Sequence, residues 1–296
     1  MSELQGLLAP RSIAIIGASD APTSLGGRIA RMLKKFGYPG EIWPVNPGRS
    51  MVAGERCYGA PQDLPGAADL AVLAVSGEAT LEALVACAAA GIRNGIALAN
   101  GFAESGPEGI DRQRRLTALC RDQGFNLCGP NCLGIINTWQ PMTGSFQASL
   151  EDGSSRLLTG SISLVSQSGG TVSALMSLAA QIDLGFRYLV SSGNEAVLDS
   201  ADFISAFADD AQTRVIAAYL EGCNDGPKLL AAMDKARRCG KPLVILKAGM
   251  TPQSARAAAA HTGILAGEGR VWDAVFRETG VIRAETMGEL LDIAAC

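Results

Sequence analysis

The chain has 296 residues, 48% hydrophobic and 18% charged, which is enough apolar material for large buried cores, and its length favours two domains over one. Its net charge of −4, from 25 basic and 29 acidic side chains with no basic run beyond pairs such as Arg114-Arg115 and Arg237-Arg238, argues against a nucleic-acid surface. Eight scattered cysteines with a single histidine do not make a Cys/His zinc site, and no metal is expected; the absence of a signal-like start or a long apolar run leads us to expect no membrane segment and a reducing, cytoplasmic setting.

Ser12 to Ile16 is a continuous apolar run, suited to a strand buried on both faces of a parallel sheet. It ends in Gly17-Ala-Ser-Asp20. After a Pro/Thr/Ser loop, Gly26-Gly27 opens a segment whose Ile29, Met32, Leu33 and Phe36 fall at helical spacing, with Arg28, Arg31, Lys34 and Lys35 opposite. A strand, a glycine-bearing loop and a helix can present backbone N–H groups to a phosphate. Glycines at 17, 26 and 27 do not form the GxGxxG fingerprint, so from this loop alone a plain βα turn ranks level with phosphate binding.

The pattern repeats. Strands are predicted over Glu41–Asn46, Asp69–Val75, Asn94–Ala99 and Phe125–Cys128, with helices through Leu81 to Ala88 and over Glu108–Asp122. Alternation at this interval predicts a doubly wound, Rossmann-like parallel sheet over residues 1–143. Ligands on such sheets sit outside the carboxyl ends of the strands. Those ends carry Gly17, Ala18 and Ser19; Asn46, Pro47 and Arg49; Ser76-Gly77; Asn100, Gly101 and Phe102; and Gly129 to Cys132. Cys128 and Cys132 form a CxxxC, which reads as buried thiols in preference to a redox dithiol.

Gly17-Ala-Ser19, Pro44-Val-Asn-Pro47, Gly101-Phe-Ala-Glu104 and Gly129-Pro-Asn-Cys-Leu-Gly134, in that order, resemble the CoA-binding domain of the NDP-forming acyl-CoA synthetases. That superfamily includes the α subunit of succinyl-CoA synthetase. The resemblance implies CoA as a ligand, with the loop from Gly17 to Leu25 against its pantetheine and pyrophosphate. It implies that Arg49 meets a CoA phosphate, for which a guanidinium is suited. Asn46, Pro47, Ser76, Asn100, Gly101, Phe102, Asn131 and Cys132 would complete the CoA edge. Ser76-Gly77 departs from the pattern, since relatives usually show a proline there.

Gln147 to Thr159 is polar and glycine-containing, so the domain junction is placed here and a second unit is predicted over residues 144–296. Its strands are predicted over Gly160–Val165, Phe186–Val190, Arg214–Leu220, Pro242–Leu246 and Gly280–Arg283. Helices follow Ser166-Gln-Ser-Gly-Gly170 and cover Asp199–Phe207, Pro227–Cys239, Glu268–Phe276 and Thr286–Ala295. This reads as a smaller, flavodoxin-like parallel sheet. Ser168 and Gly169 fall at the first turn of a helix, where free N–H groups favour an anion; an ordinary capping serine is the alternative. Glu221 falls at the carboxyl end of a strand, and a solvated carboxylate is its plain reading.

The lone histidine, His261, lies in Ser254–Gly263, within a connection longer than compact domains usually carry. Alone it reads as a loop residue. The order Ser166-Gln-Ser-Gly169, Ser191-Ser-Gly-Asn194, Tyr219-Leu-Glu-Gly222, Lys247-Ala-Gly249 and Ala260-His-Thr-Gly263 resembles the ligase domain of the same family, and reverses that ranking. A neutral imidazole attacks phosphoryl groups and passes them on. By the logic of nucleophile and orienter, Glu221 at a strand end is expected to accept from the other ring nitrogen, with Ser168 and Gly169 holding the phosphate. The resemblance implies that an acyl phosphate forms first and then phospho-His261. The reaction implied interconverts acyl-CoA, NDP and phosphate with a small carboxylic acid, CoA and NTP.

No Walker A sequence occurs. The length matches an α subunit of the two-subunit members, so the resemblance implies ATP or ADP and Mg2+ on an ATP-grasp β subunit or domain, in a hetero-oligomer or a longer chain. A non-catalytic CoA or acyl-CoA-binding regulatory module and a nicotinamide oxidoreductase stand as alternatives. His261 and Glu221 argue against the first, and the missing GxGxxG against the second.

Overall fold

The computed structural model describes residues 4–151, 153, 156–250 and 269–296. In chain order the first half forms α1 (Gln5–Leu8), β1 (Ser12–Ile16), α2 (Leu25–Lys35), β2 (Glu41–Val45), β3 (Met51–Val52), β4 (Glu55–Arg56), β5 (Leu70–Leu73), α3 (Glu78–Ala89), β6 (Asn94–Ala97), α4 (Pro107–Gln123) and β7 (Asn126–Cys128). Among the described residues, five of these strands make a parallel sheet in the order β2-β1-β5-β6-β7, while β3 and β4 form a separate ribbon. Every residue of β1 and β5 is buried, which is why both read as unbroken apolar runs.

The second half forms β8 (Gly134–Asn137), β9 (Met142–Ser145), α5 (Ala148–Glu151), β10 (Thr159–Ser166), α6 (Gly169–Gln181), β11 (Phe186–Ser191), α7 (Ser200–Asp209), β12 (Val215–Leu220), α8 (Gly226–Arg238), β13 (Leu243–Lys247), α9 (Gly269–Thr279), β14 (Ile282–Ala284) and α10 (Met287–Ala295). Its sheet runs β14-β13-β12-β10-β11-β8-β9 among the described residues. The five strands from β14 to β11 are parallel, as predicted.

The sheet departs from the all-parallel expectation at one edge, where β8 and β9 form a hairpin whose first strand lies antiparallel to β11. The chain therefore changes sheets between Cys128 and Gly134, ahead of the junction expected at 143/144. Both hairpin strands are four residues long and wholly buried, so they carry no alternating pattern to read.

In both sheets the parallel strands have the same winding, with the first strand in chain order flanked by the second and the third. The order reverses between β1 and β5 in one sheet and between β10 and β12 in the other. Crevices open at such switch points.

The two units share a seam. Leu198, Ala196 and Asn194 donate backbone N–H groups to the carbonyls of Leu127, Gly129 and Pro130 at 3.1, 3.1 and 2.9 Å. One hydrophobic cluster runs through Ile13, Ile15 and Leu33 of the first unit and Val165, Tyr188 and Phe203 of the second. Among the described residues no helix is long and apolar enough to cross a membrane.

Candidate functional site

The start of α2 and the carboxyl ends of β5 and β6 face the N terminus of α6 across a cleft of about 760 Å3. Its walls include Ser24 and Leu25 at the start of α2, Ala74 to Ser76 after β5, Leu98 to Asn100 after β6, and Asn131 to Leu133. The second unit contributes Gln167 to Gly170, and Phe146 comes from the segment after β9.

The approach of α2 to the first loop depends on glycine. A Cβ on Gly27 would lie 1.9 Å from the Ser19 carbonyl oxygen, and one on Gly26 would lie 2.9 Å from the Ala18 Cα. Ser24 caps the helix by accepting from Gly27 N–H at 3.1 Å. Asn46 braces the same loop, its amide donating to the Ala18 carbonyl at 2.8 Å while its oxygen accepts from Gly48 N–H at 2.9 Å. Thus two helices, α2 and α6, start at one cleft, and both present the positive end of their dipoles there. An elongated anionic ligand with separated charged groups fits that field.

At the second switch point, Ser168 caps α6 by accepting from Thr171 N–H at 3.3 Å. Gln167 reaches from the end of β10 to the end of β12, where its oxygen accepts from the backbone N–H groups of Glu221 at 2.5 Å and Gly222 at 3.0 Å. Glu221 is only 6% exposed. The Tyr219 hydroxyl hydrogen-bonds to the Glu221 side chain, and burial first, then the Glu221 charge, push that phenol above its ordinary pKa.

Beside Glu221, the Lys247 ammonium donates to the Glu221 carbonyl at 3.0 Å and to that of Ala248. It also sits 5.0 Å from the centre of the Trp272 ring. His261 and its segment Ser254–Gly263 lie outside the described residues. The residues that flank this part of the chain meet, since a Cβ on Gly269 would lie 2.5 Å from the Met250 carbonyl oxygen.

Of the residues singled out from sequence, the cleft brings together Leu25, Ser76, Asn100, Asn131, Cys132, Ser168 and Gly169. Gly17 lies behind them with φ +82°, where a Cβ would lie 2.5 Å from the Val75 side chain. Pro47 and Arg49 are exposed beyond Asn46. Ala18 and Phe102 are fully buried, and the Phe102 ring belongs to the hydrophobic core. Gly101 and Phe102 follow the cleft residue Asn100 without lining the cleft themselves, and both backbone N–H groups donate to the Glu104 carboxylate, at 2.6 and 3.1 Å. Burial pushes the Glu104 carboxyl up, but hydrogen bonds from Asn194, Phe102 and Gly101 outweigh it and hold the group below its ordinary pKa. Cys128 is buried, and its hydrogen bond with Cys132 and its desolvation push the thiol well up, which suits inert packing.

Sequence reasoning placed Ser24 only within the loop from Gly17 to Leu25, and missed Leu133, Phe146 and Gln167 as cleft residues and Asn194 and Glu195 as supports. Gln167 stood inside a motif already noted, directly before the two residues, Ser168 and Gly169, that drew attention as an anion cradle. Phe146 had no signal, because it reaches the cleft only through the unforeseen hairpin.

Residues 11–138 match the CoA binding domain family, and residues 159–296 match the succinyl-CoA ligase like flavodoxin domain. The chain is 34% identical over 285 residues to the α subunit of acetate–CoA ligase (ADP-forming) II of Pyrococcus furiosus, covering 96% of this chain and 60% of that one. It is 35% identical over 291 residues to a 4-hydroxybutyrate–CoA ligase (ADP-forming) of Nitrosopumilus maritimus, covering 97% of this chain and 41% of that one. Among solved structures, the dinucleotide forming acetyl-coenzyme A synthetase 1 of Ca. Korarchaeum cryptofilum, in complex with phosphate and ADP, superposes with a TM-score of 0.91 at 31% identity, covering 99% of this chain and 61% of that chain. The chain thus spans about 60% of the length of the α-subunit relative.

Proposed function

The chain belongs to the NDP-forming acyl-CoA synthetases, and on that premise we propose that it is the α-type part of an acid–thiol ligase that interconverts acyl-CoA, NDP and phosphate with a carboxylic acid, CoA and NTP. The observation that carries the reading is the cleft, which takes one wall from the strand ends of the CoA-binding unit and the other from the capped start of α6. A thioester carbonyl and a phosphate held there would be neighbours.

In this reading the loop from Gly17 to Leu25, with Asn46, Pro47, Arg49, Ser76, Asn100 to Phe102, Asn131 and Cys132, holds CoA. Ser168 and Gly169 hold phosphate. A phosphate oxygen attacks the thioester carbonyl, the C–S bond breaks, and CoA leaves as a thiolate that takes up a proton. His261 then attacks the phosphorus of the acyl phosphate. The P–O bond to the carboxylate breaks, the free acid departs, and a phosphohistidine remains. Glu221 orients the imidazole by accepting from its other nitrogen. NDP and Mg2+ would be held by an ATP-grasp subunit or domain, to which the phosphoryl group passes.

The test uses the chain alone with labelled inorganic phosphate and either acetyl-CoA or 4-hydroxybutyryl-CoA. The expected result is acid-labile label on the wild type and none on His261→Ala. No label with either thioester, or label that survives the substitution, would overturn the reading in favour of a CoA-binding module without catalysis.

A further inference from the structure

We infer that Gln167 and Glu195 are positioning residues for Glu221, a two-step hydrogen-bond relay that fixes the end of β12 against the start of α6. The inference rests on the proposed role of Glu221 and adds residues to it. Gln167 is 6% exposed and uses both ends of its amide. The oxygen accepts from Glu221 N–H and Gly222 N–H, and the nitrogen donates to the Gly222 carbonyl at 3.1 Å and to Glu195 Oε2 at 2.8 Å.

A glutamine amide can face either way in a cavity, so something must choose its direction. An ionised carboxylate has only acceptors, so a carboxylate at Glu195 admits only the nitrogen end. Its other oxygen is already committed, accepting from Ser192 Oγ at 2.8 Å, from Ser200 N–H at 2.9 Å and from Ser200 Oγ. With the nitrogen drawn to Glu195, the oxygen of Gln167 has to face the two N–H groups at the end of β12. Gln167 lines the cleft and Glu195 does not. Glu195 therefore reaches Glu221 through Gln167.

Glu195→Gln tests this directly, because the isostere keeps its oxygen on Ser192 and Ser200 and turns an N–H2 toward the N–H2 of Gln167. Gln167 escapes that clash by flipping, which sets its own N–H2 against the N–H groups of Glu221 and Gly222. Misplacing a group at a reacting centre in this way can cost up to about 100-fold in rate. The experiment measures phosphate label on the full chain from acetyl-CoA or 4-hydroxybutyryl-CoA, alongside CoA affinity by calorimetry. Glu221→Gln serves as the reference and Gln167→Met as a second disruption of the relay.

The expected result is labelling slowed by roughly 10- to 100-fold in both Glu195→Gln and Gln167→Met, with CoA affinity unchanged in Glu195→Gln, whose residue lies outside the cleft lining. Wild-type label that is lost in Glu221→Gln yet forms at the normal rate in Glu195→Gln overturns the relay and leaves the proposed function standing. A parallel loss of labelling and CoA binding, or of the fold, also overturns it, since the pair would then hold the structure and not Glu221. No label on the wild type overturns the proposed function and the relay with it.

Discussion

Lys247 shows at the scale of one residue how the site can work against stability. It is 5% exposed, with its ammonium held by the carbonyls of Glu221 and Ala248 and by the Trp272 face. Burial pulls its pKa from 10.5 down to about 8, against the upward pull of the charges on Glu221 and Cys223. Between pH 8 and 10.5 the unfolded chain therefore keeps a proton that the folded chain has lost, so on this group's account stability rises with pH across that window. Below it both states are protonated and the native state carries the full cost of a buried charge. Lys247→Met removes the linkage while leaving the other titrating groups in place. Urea unfolding of both proteins should show wild-type stability gaining on the variant from pH 8 to 10.5. A constant difference across that range would mean that Lys247 titrates as an exposed lysine does.

At the scale of elements, the loop after β11 ties the two sheets together through Asn194. Its side-chain oxygen accepts from the Asn131 amide at 3.2 Å, and its nitrogen donates to Gln113 at 2.9 Å and to the Glu104 carboxylate. Glu104 in turn fixes the turn at Gly101, next to Asn100 of the cleft. Asn194→Ala leaves three polar partners short in a half-buried seam, where an unsatisfied group costs about 1–3 kcal/mol. The expected outcome is a lower urea midpoint together with weaker CoA binding in a calorimetric titration, because Asn131 lines the cleft. Weakened stability with unaltered CoA affinity would confine Asn194 to the seam.

Elements of this kind mark the limit of what was legible in the chain. Runs such as Ser12–Ile16 and Leu243–Lys247 are buried on both faces and announce parallel strands directly. The glycines at 17, 26 and 27 marked a strand, loop and helix without the fingerprint spacing, but the close approach that Gly26 and Gly27 allow shows only in the packed structure. The hairpin from Gly134 to Ser145 was silent, since its strands are short, include glycines and take their burial from tertiary packing. Gln167 and Glu195 were silent for a different reason: their meaning is a hydrogen-bond direction, which spacing along a chain does not encode.

For the whole molecule, the question is whether two sheets mean two unfolding units. The shared cluster argues that they do not. Ile13, Ile15 and Leu33 from one sheet's layers and Val165, Tyr188 and Phe203 from the other's belong to one contiguous core, and the backbone of 194–198 bonds to that of 127–130. Melting either unit alone would expose the other's apolar face and orphan those carbonyls. The three tryptophans are well placed to report on this, with Trp43 in β2, Trp139 in the hairpin turn and Trp272 in α9. Variants that keep a single tryptophan, at 43 or at 272, should lose fluorescence at the same urea concentration, coincident with the loss of helical circular dichroism. CoA should move both transitions upward together, by about 2.7 kcal/mol at a concentration 100 times its dissociation constant. A Trp272 transition separated from that of Trp43, or a CoA shift confined to Trp43, would mean that the seam is a contact between independent domains and that the cleft forms without a common core behind it.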